Sequence, residues 1–271
     1  MYVITGVTGK LGRVAIEELL TRVPATEVAA VARDPHKAAD LAERGVDVRQ
    51  GDYEDPASLK AAFTGADVLL FVSSPDITPG ARARQHGNVV DAAVAAGVGR
   101  VVYTSAIGAE DGQGFLADHT VTEKLLAESG LPHTLLRNTF YMELLVNPGL
   151  RTAVDAGELL GADNGVPVNL ATIADLGVAA AVAVAGDGHE GAVYELRGPV
   201  WTLADLARTV SEVSGKDVAY RPVPVEELGQ AGFVHQLIAS GLFSEPSPDL
   251  EKLIGRPPTS LREAVETALR S

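Results

Sequence analysis

Three glycines near the start of the chain have the spacing of a phosphate-binding turn. A short apolar run, Tyr2 to Thr5, leads into Gly6, Gly9 and Gly12, and an amphipathic stretch from Leu11 to Arg22 follows. A strand, a glycine-rich turn and a helix in this order place free N–H groups and the positive end of a helix dipole where a pyrophosphate can bind. The G-x-x-x-x-G-K-[ST] pattern of phosphate-hydrolysing P-loops is absent. The opening segment therefore predicts a dinucleotide-binding site.

A basic residue stands where the adenosine ribose of such a dinucleotide is expected. Arg33 lies 21 residues beyond Gly12, at the end of the second predicted strand. A guanidinium at this place can form paired, charge-assisted hydrogen bonds to a ribose 2′-phosphate. Asp34 comes one position later and precedes a proline, so we expect it to cap the next helix. Lys10 and Lys37 could add positive charge nearby. NADP(H) is therefore the predicted cofactor.

The usual proton relay of short-chain dehydrogenases is missing. None of the six tyrosines has a lysine four residues later, so the Tyr-x-x-x-Lys pair that trades a proton with substrate oxygen cannot form. The corresponding helix instead carries His119 and Glu123, one turn apart on the same face. Two interpretations of this pair remain open. His119 is a candidate proton donor tuned by Glu123, or the two residues form a salt bridge on the helix surface.

Composition narrows the possible partners and chemistries. The 271 residues carry a formal net charge of −14 and contain no cysteine, which disfavours nucleic-acid binding and excludes thiol chemistry and disulfides. The six histidines are dispersed without metal-ligand spacing, so no metal is predicted. No signal peptide and no apolar run of membrane-spanning length occur. We expect a cytoplasmic protein that does not bind membranes.

Strand-like and helix-like segments alternate up to residue 137, as in a parallel sheet with crossover helices. The predicted strands are Tyr2–Thr5, Glu27–Ala32, Asp47–Gln50, Asp67–Val72, Arg100–Thr104 and His133–Arg137. The alternating pattern of the third suits an edge, its place in the order 3-2-1-4-5-6. This predicts an α/β fold, a Rossmann-type doubly wound parallel sheet with a smaller C-terminal lobe. The predicted domains are 1–150 and 151–271, with some segments of the latter returning to the sheet.

Polar and aromatic residues follow the predicted strands where ligands bind such sheets, at the carboxyl ends. After the third strand we expect adenine contacts, after the fourth ribose or pyrophosphate contacts, and after the fifth and sixth nicotinamide contacts. In chain order these candidates are Asp52, Tyr53, Ser73, Ser74, Thr104, Asn138, Thr139, Phe140 and Tyr141. Phe140, Tyr141 and Leu144 are also candidate walls of a pocket for a flat ring.

Several segments together resemble the NmrA-like branch of atypical short-chain dehydrogenases, and within it the bacterial type-2 NAD(P)H:quinone oxidoreductases. They are VTGKLG, VARDPHKA, GDYEDPASL, YTSAIGA, HTLLRNTFYMELL and LIGRPPTSL, so the resemblance runs nearly end to end. It implies a Rossmann domain with a small C-terminal lobe, NADPH binding, and hydride transfer to quinones without a flavin. It also implies cofactor contacts at Gly6, Thr8, Gly9, Lys10, Leu11, Gly12, Arg33, Ser73, Ser74 and Asn138 to Tyr141.

Three functions remain open at this point. The first is an NADPH-dependent quinone reductase, in which the cofactor carries the difficult step and the protein supplies position and a dry face. The second is an NmrA-like redox sensor that binds the dinucleotide without turnover. The third is an enzyme similar to isoflavone reductases or epimerases, for which no catalytic tyrosine or lysine can be placed. The substrate is expected to be a small molecule, and a homodimer is left open.

Overall fold

Seven strands form the central sheet in the computed structural model, which describes residues 1–110, 112 and 114–270. The strands are β1 (Tyr2–Ile4), β2 (Val28–Ala32), β3 (Asp47–Gln50), β4 (Val68–Phe71), β5 (Arg100–Ala106), β6 (His133–Asn138) and β8 (Val193–Leu196). Their order is β3-β2-β1-β4-β5-β6-β8. The predicted order of the first six strands and the edge position of β3 are confirmed, and with them the Rossmann-type fold.

Burial explains the composition of these strands. Every residue of β2 and β4 is buried, which suits parallel strands covered by helices on both faces. The edge strand β3 has no buried residue, and its two central residues are half-buried.

Six helices of the described residues surround this sheet, and capping residues mark the ends of some of them. They are α1 (Lys10–Leu19), α2 (Ala39–Glu43), α3 (Pro56–Phe63), α4 (Ala81–Ala96), α5 (Ala117–Glu128) and α7 (Ile173–Ala185). Asp55 caps α3 through its carboxylate, with Pro56 at the first helical position. Gly97 ends α4 in the left-handed conformation, with a φ of 70°. Helix α1 ends three residues before the predicted Arg22, where the Thr21 hydroxyl donates to the carbonyl oxygen of Glu18.

The seventh strand, β8, was not among the predicted strands. The amide of Leu135 donates to the carbonyl oxygen of Ala192, and the amide of Thr139 donates to that of Leu196, so β8 runs parallel to β6. Only Leu196 of this strand is buried. A short, half-exposed edge strand that pairs with residues far away in sequence gives little local signal.

The described chain divides into two compact units. The first contains Met1–Asn138 and Leu176–Glu195, and the second contains Thr139–Asp175 and Leu196–Ser271. The predicted boundary at residue 150 therefore falls inside the second unit, because the chain passes into that unit directly after β6. The later segment that carries most of α7 and β8 belongs to the first unit again.

The second unit has its own sheet and its own apolar core. Strands β7 (Glu158–Gly161) and β9 (Ala219–Pro222) pair in parallel. The helices are α6 (Leu150–Ala156), α8 (Leu203–Ser214), α9 (Gly232–Ala239), α10 (Asp249–Ile254) and α11 (Leu261–Arg270). Thr202 and Asp205 form a capping box at the start of α8, and Ser260 and Glu263 exchange the same bonds before α11. Trp201, Val210 and Phe243 lie in the core.

Among the described residues, no helix is both long enough and apolar enough to span a bilayer.

Candidate functional site

The segment from Gly6 to Gly12, here the glycine loop, packs closely on itself. Gly6 has a φ of +67°, and the amide of Gly9 donates to its carbonyl oxygen at 2.9 Å. A Cβ atom on Gly12 would lie 2.3 Å from that same oxygen, closer than any side chain can be placed. Glycine is therefore required at Gly6 by backbone conformation and at Gly12 by space. The loop brings the start of α1 against the end of β1.

The N-terminus of α1 is open to a ligand. Gly9 is the N-cap and supplies no side chain to bond the first amides, and the first turn has no acidic residue. The unpaired N–H groups and the helix dipole favour an anion at this place. Thr8 and Lys10 are exposed. Leu11 is buried, so only its main chain is available to a cofactor.

Arg33 directly follows β2 and is exposed. Within the described residues, its guanidinium has neither a hydrogen-bond partner nor an ion pair. Asp34 caps the short 3-10 helix Pro35–Ala38 by accepting the amide of His36, as predicted. The acidic residue is thus engaged in a cap, while the neighbouring guanidinium can bind a phosphate.

The residues after β3 make bonds that fix the edge of the sheet. The Tyr53 hydroxyl lies 2.6 Å from Oγ1 of Thr5 and 2.7 Å from the carbonyl oxygen of Val72. Burial raises the pKa of this hydroxyl. One carboxylate oxygen of Asp52 accepts the amide of Glu54. Tyr53 therefore joins the ends of β1 and β4, so any contact with adenine would come from its ring rather than its hydroxyl.

The residues after β4 and β5 bond to one another. The amide of Ser73 donates to Oγ1 of Thr104 at 2.9 Å, and Thr104 is buried. The amide of Ser74 donates to Nε2 of His86 at 2.9 Å, and its hydroxyl donates to Gln85. These bonds fix the loop after β4. The structure thus brings the ends of β1, β4 and β5 together at one edge of the sheet in the first unit.

At the end of β6, Asn138 leaves a buried polar atom unsatisfied. Its carbonyl oxygen accepts the amide of Ile107 at 3.0 Å. Its side-chain Oδ1 is buried, and no hydrogen-bond partner for it occurs among the described residues. Buried polar atoms in native proteins are rarely unpaired. Asn138 is therefore a credible ligand contact of the first unit.

The remaining predicted residues belong to the second unit. Thr139 is buried and donates to Oδ1 of Asn169 at 3.3 Å. The ring of Phe140 packs on Phe243 with centroids 4.7 Å apart. Burial raises the pKa of the Tyr141 hydroxyl. Leu144 is exposed over 47% of its surface.

Leu144 lines a cavity of about 370 Å³ in the second unit. Half of the lining residues are leucines, and His235 is a buried polar member. The full lining is Leu144, Leu145, Asn147, Gly149, Leu150, Thr152, Ala153, Ala156, Glu158, Leu159, Leu160, Leu203, Leu206 and His235. Its size and apolar walls suit a small organic molecule. Phe140 and Tyr141 are not among the lining residues.

The salt-bridge interpretation of His119 and Glu123 needs correction. His119 is 7% exposed and its Nδ1 lies 2.8 Å from the Tyr103 hydroxyl, so the surface salt bridge is wrong. Glu123 accepts hydrogen bonds from Ser105 and Arg137 instead. Burial lowers the pKa of His119 to about 4, although the charge of Glu123 acts in the opposite direction. At neutral pH the ring is therefore uncharged and can offer an N–H group but not the proton of an imidazolium.

Sequence reasoning missed the surroundings of His119. His86, Tyr103, His119 and Thr122, here the histidine cluster, are all buried between β5, α4 and α5. Nε2 of His86 accepts the amide of Ser74, so in the neutral ring Nδ1 carries the hydrogen and donates to Oγ1 of Thr122 at 2.7 Å. The Thr122 hydroxyl donates onward to the carbonyl oxygen of Asp118. Burial lowers the pKa of His86 to about 3. The cluster is a neutral, hydrogen-bonded network.

The described part of the chain contains no group of three histidine or carboxylate residues that could hold a metal ion.

Comparison with known proteins places this architecture in a family. The family described as NAD(P)H-binding matches residues 6–183. Quinone oxidoreductase 2 of Escherichia coli (strain K12) is 42% identical, over 98% of this chain and 97% of that protein.

Two solved structures are similar to this protein along nearly the whole chain. The NADPH complex of the NADPH-dependent quinone oxidoreductase QOR2 from Escherichia coli is 40% identical with a TM-score of 0.90, covering 98% of this chain and 99% of that one. The NADP(H) complex of Citrobacter sp. triphenylmethane reductase is 38% identical with a TM-score of 0.95, covering 99% and 100%. The chain therefore belongs to the NAD(P)H-binding, NmrA-like family of atypical short-chain dehydrogenases.

Proposed function

We propose that this protein is an NADPH-dependent oxidoreductase that transfers a hydride directly from the nicotinamide to a quinone. The observation that carries the proposal is the 42% identity with quinone oxidoreductase 2 of Escherichia coli over nearly the full length of both chains. The absence of Tyr-x-x-x-Lys agrees with it, because a quinone is a strong electrophile whose reduced oxygens can take protons from water.

The geometry of the first unit fits the cofactor. The glycine loop leaves no room for a Cβ at Gly12, and α1 has an N-terminus without a side-chain cap. We assign the pyrophosphate to the main chain from Thr8 to Gly12 and the 2′-phosphate to Arg33. The edge formed by Ser73, Thr104 and Asn138 is assigned to the ribose and the nicotinamide. When bound, NADPH supplies the hydride.

The apolar residues of the second unit are assigned to the substrate. Leu144 and the leucine-lined cavity offer an apolar surface to a ring or an alkyl chain. Phe140 is held against Phe243 and Tyr141 is half-buried, so the ring of Phe140 is fixed in place before substrate binds. Such walls position a flat acceptor without contributing a titrating group.

A turnover assay tests the proposed function. Purified protein mixed with NADPH and menadione or benzoquinone should lose absorbance at 340 nm, and reduced quinone should form in equal amount. NADH in place of NADPH should support slower reduction at low cofactor concentration. Tight binding of NADPH without reduction of any quinone would contradict the proposal and favour a redox sensor.

Two further expectations stay predictions. Cell fractionation tests the cytoplasmic location, and light scattering of the purified protein tests the homodimer.

A further inference from the structure

Among the described residues of the first unit, one cation is buried without a counter-charge. Arg82 is 8% exposed, and its Nε is sealed from solvent with no hydrogen-bond partner. Across the described residues, no hydrogen bond or ion pair satisfies any part of this guanidinium. Burial of an unpaired charge is strongly unfavourable, so such groups normally face a carboxylate or a bound anion.

The groups around Arg82 supply no anion. Burial, together with the charge of Arg82, lowers the pKa of both His86 and His119, so both rings are neutral. Burial raises the pKa of the Tyr103 hydroxyl, which keeps its proton.

No carboxylate of the described residues forms an ion pair with Arg82, and two on neighbouring elements bind other cations. Glu123 on α5 pairs with Arg137, and Glu54 pairs with Arg84. Neither is hydrogen-bonded to Arg82. The positive charge of Arg82 is therefore left for a ligand.

The position of Arg82 in the fold is that of a ligand contact. It lies in the first turn of α4, and His119 lies in the first turn of α5. These helices follow β4 and β5, so their N-termini are at the carboxyl edge of the sheet, where open α/β sheets bind ligands. Neither N-cap, Gly80 or Leu116, bonds the first amides through a side chain. The first turn of α4 carries no acidic residue, so this helix end adds to the positive potential around Arg82, whereas Asp118 lies in the first turn of α5.

We infer that Arg82 binds the oxyanion that forms on the substrate during reduction. This inference rests on the proposed function. A quinone that accepts a hydride gains two electrons and one proton and becomes a hydroquinone monoanion. A proton from water then completes the neutral hydroquinone. Arg82 stabilises the negative oxygen between these two events, and a charged donor that is already desolvated does so without reorganisation.

The first test replaces the guanidinium by an apolar chain of similar length. In Arg82→Met, kcat for menadione should fall by about 100-fold, the loss typical of one oxyanion donor. The dissociation constant of NADPH should stay within about twofold, because the cofactor phosphates are assigned to other residues. The melting temperature should be unchanged or higher, since an unpaired buried charge is removed. Arg84→Met, two residues along the same helix and exposed, should keep kcat within about twofold.

The second test measures anion binding without turnover. The probe is 2-hydroxy-1,4-naphthoquinone, whose ionised hydroxyl carries a negative charge at neutral pH, and uncharged menadione is the reference. Calorimetry on the NADP⁺ complex should show that Arg82→Met weakens the anionic probe by about tenfold or more, as expected for loss of a charge-assisted bond. Menadione affinity should change by less than about threefold in the same variant.

Three results would overturn the inference. The first is a kcat of Arg82→Met equal to that of wild type. The second is equal affinity of wild type and Arg82→Met for the anionic probe. The third is a weaker NADPH complex of Arg82→Met, which would reassign Arg82 to the cofactor. A sharp fall in melting temperature would also count against it, because it would show a structural charge pair. If wild type fails to reduce any quinone, the proposed function fails, while the calorimetric comparison still decides whether Arg82 binds an anion.

Discussion

The glycine loop and the histidine cluster lie in the same unit but are built in opposite ways. The loop uses seven consecutive residues and acts through its main chain, with Gly6 and Gly12 setting the backbone geometry. The cluster uses side chains from β5, α4 and α5, and each ring depends on a partner from another element. A main-chain site should therefore tolerate pH changes and fail when a Cβ is added. A side-chain network should respond to pH and to the loss of a single hydroxyl.

The largest effect should come from adding bulk to the glycine loop. In Gly12→Val the new Cβ would meet the carbonyl oxygen of Gly6 at 2.3 Å, so the loop and α1 cannot keep their contact. We expect NADPH affinity to fall by more than about 1,000-fold, about 4 kcal/mol, measured by calorimetry.

A glycine in α4 provides the control. In Gly87→Ala the new Cβ would lie 4.0 Å from Leu125, an ordinary contact. This variant should bind NADPH normally and gain up to about 1 kcal/mol of stability from helix propensity. NADPH binding by Gly12→Val at wild-type strength would show that the loop does not hold the pyrophosphate.

Acid should weaken the fold through the histidine cluster. The folded-state pKa values of His86 and His119 are lowered to about 3 and about 4 from 6.5. Between pH 6.5 and pH 4 the unfolded chain therefore binds protons that the folded chain does not, and stability falls as pH falls. Each histidine contributes up to about 1.4 kcal/mol per pH unit.

Urea unfolding between pH 7 and pH 5 measures this slope. His119→Gln should remove about half of the contribution of the two histidines, and His36→Gln, at an exposed position, should leave the slope unchanged. A profile without slope below pH 6.5 would mean that the cluster is not buried in solution.

A substitution of Arg33 tests the assignment of the 2′-phosphate. Arg33→Asp removes a guanidinium assigned to the 2′-phosphate and adds a repelling charge. NADPH affinity should fall about 10- to 100-fold, as for loss of hydrogen bonds to a charged group, while NADH affinity should change little. Arg44→Met removes an exposed arginine that pairs with Glu17 and should alter neither. Equal losses for NADPH and NADH would mean that Arg33 does not contact the 2′-phosphate.

The smallest effect should come from one hydroxyl of the cluster. Thr122→Val leaves Nδ1–H of His86 without its acceptor and should lower the free energy of unfolding by about 1–2 kcal/mol. Thr21→Val removes an exposed hydroxyl bond to Glu18 and should cost less than about 0.5 kcal/mol. NADPH affinity should be unchanged in both. Thermal and urea unfolding give the comparison, and a Thr122→Val protein as stable as wild type would contradict the network.

The elements that could be predicted were those with a local signal. The order of β1 to β6 follows from apolar runs separated by helices of ordinary length, and Asp55 and Gly97 mark helix ends by their own chemistry. Strand β8 pairs with β6, where the amide of Leu135 donates to the carbonyl oxygen of Ala192 just before β8, and no local pattern specifies a contact between such distant residues. The passage between units at Asn138 depends on the same long-range packing.

The candidate site likewise contains residues that the sequence indicated and residues that it did not. The glycines and Arg33 could be identified because their positions relative to one strand and one helix indicate a dinucleotide site. His119 was found as a residue, but its partner was not, because the helix face suggested Glu123 and the fold supplied Tyr103. Arg82 gave no signal at all, since an arginine in a helix is ordinarily a solvated residue.

Residue types alone indicate a strand–turn–helix that binds a dinucleotide, the parallel order of the first six strands, and the absence of the tyrosine–lysine relay. These follow from residue type and short spacing, which act through local backbone geometry. The neutrality of two histidines, and the burial of Arg82 without a counter-charge among the described residues, emerged only from the fold. Burial and pairing depend on which elements pack together, and that packing sets the electrostatics of every group between them.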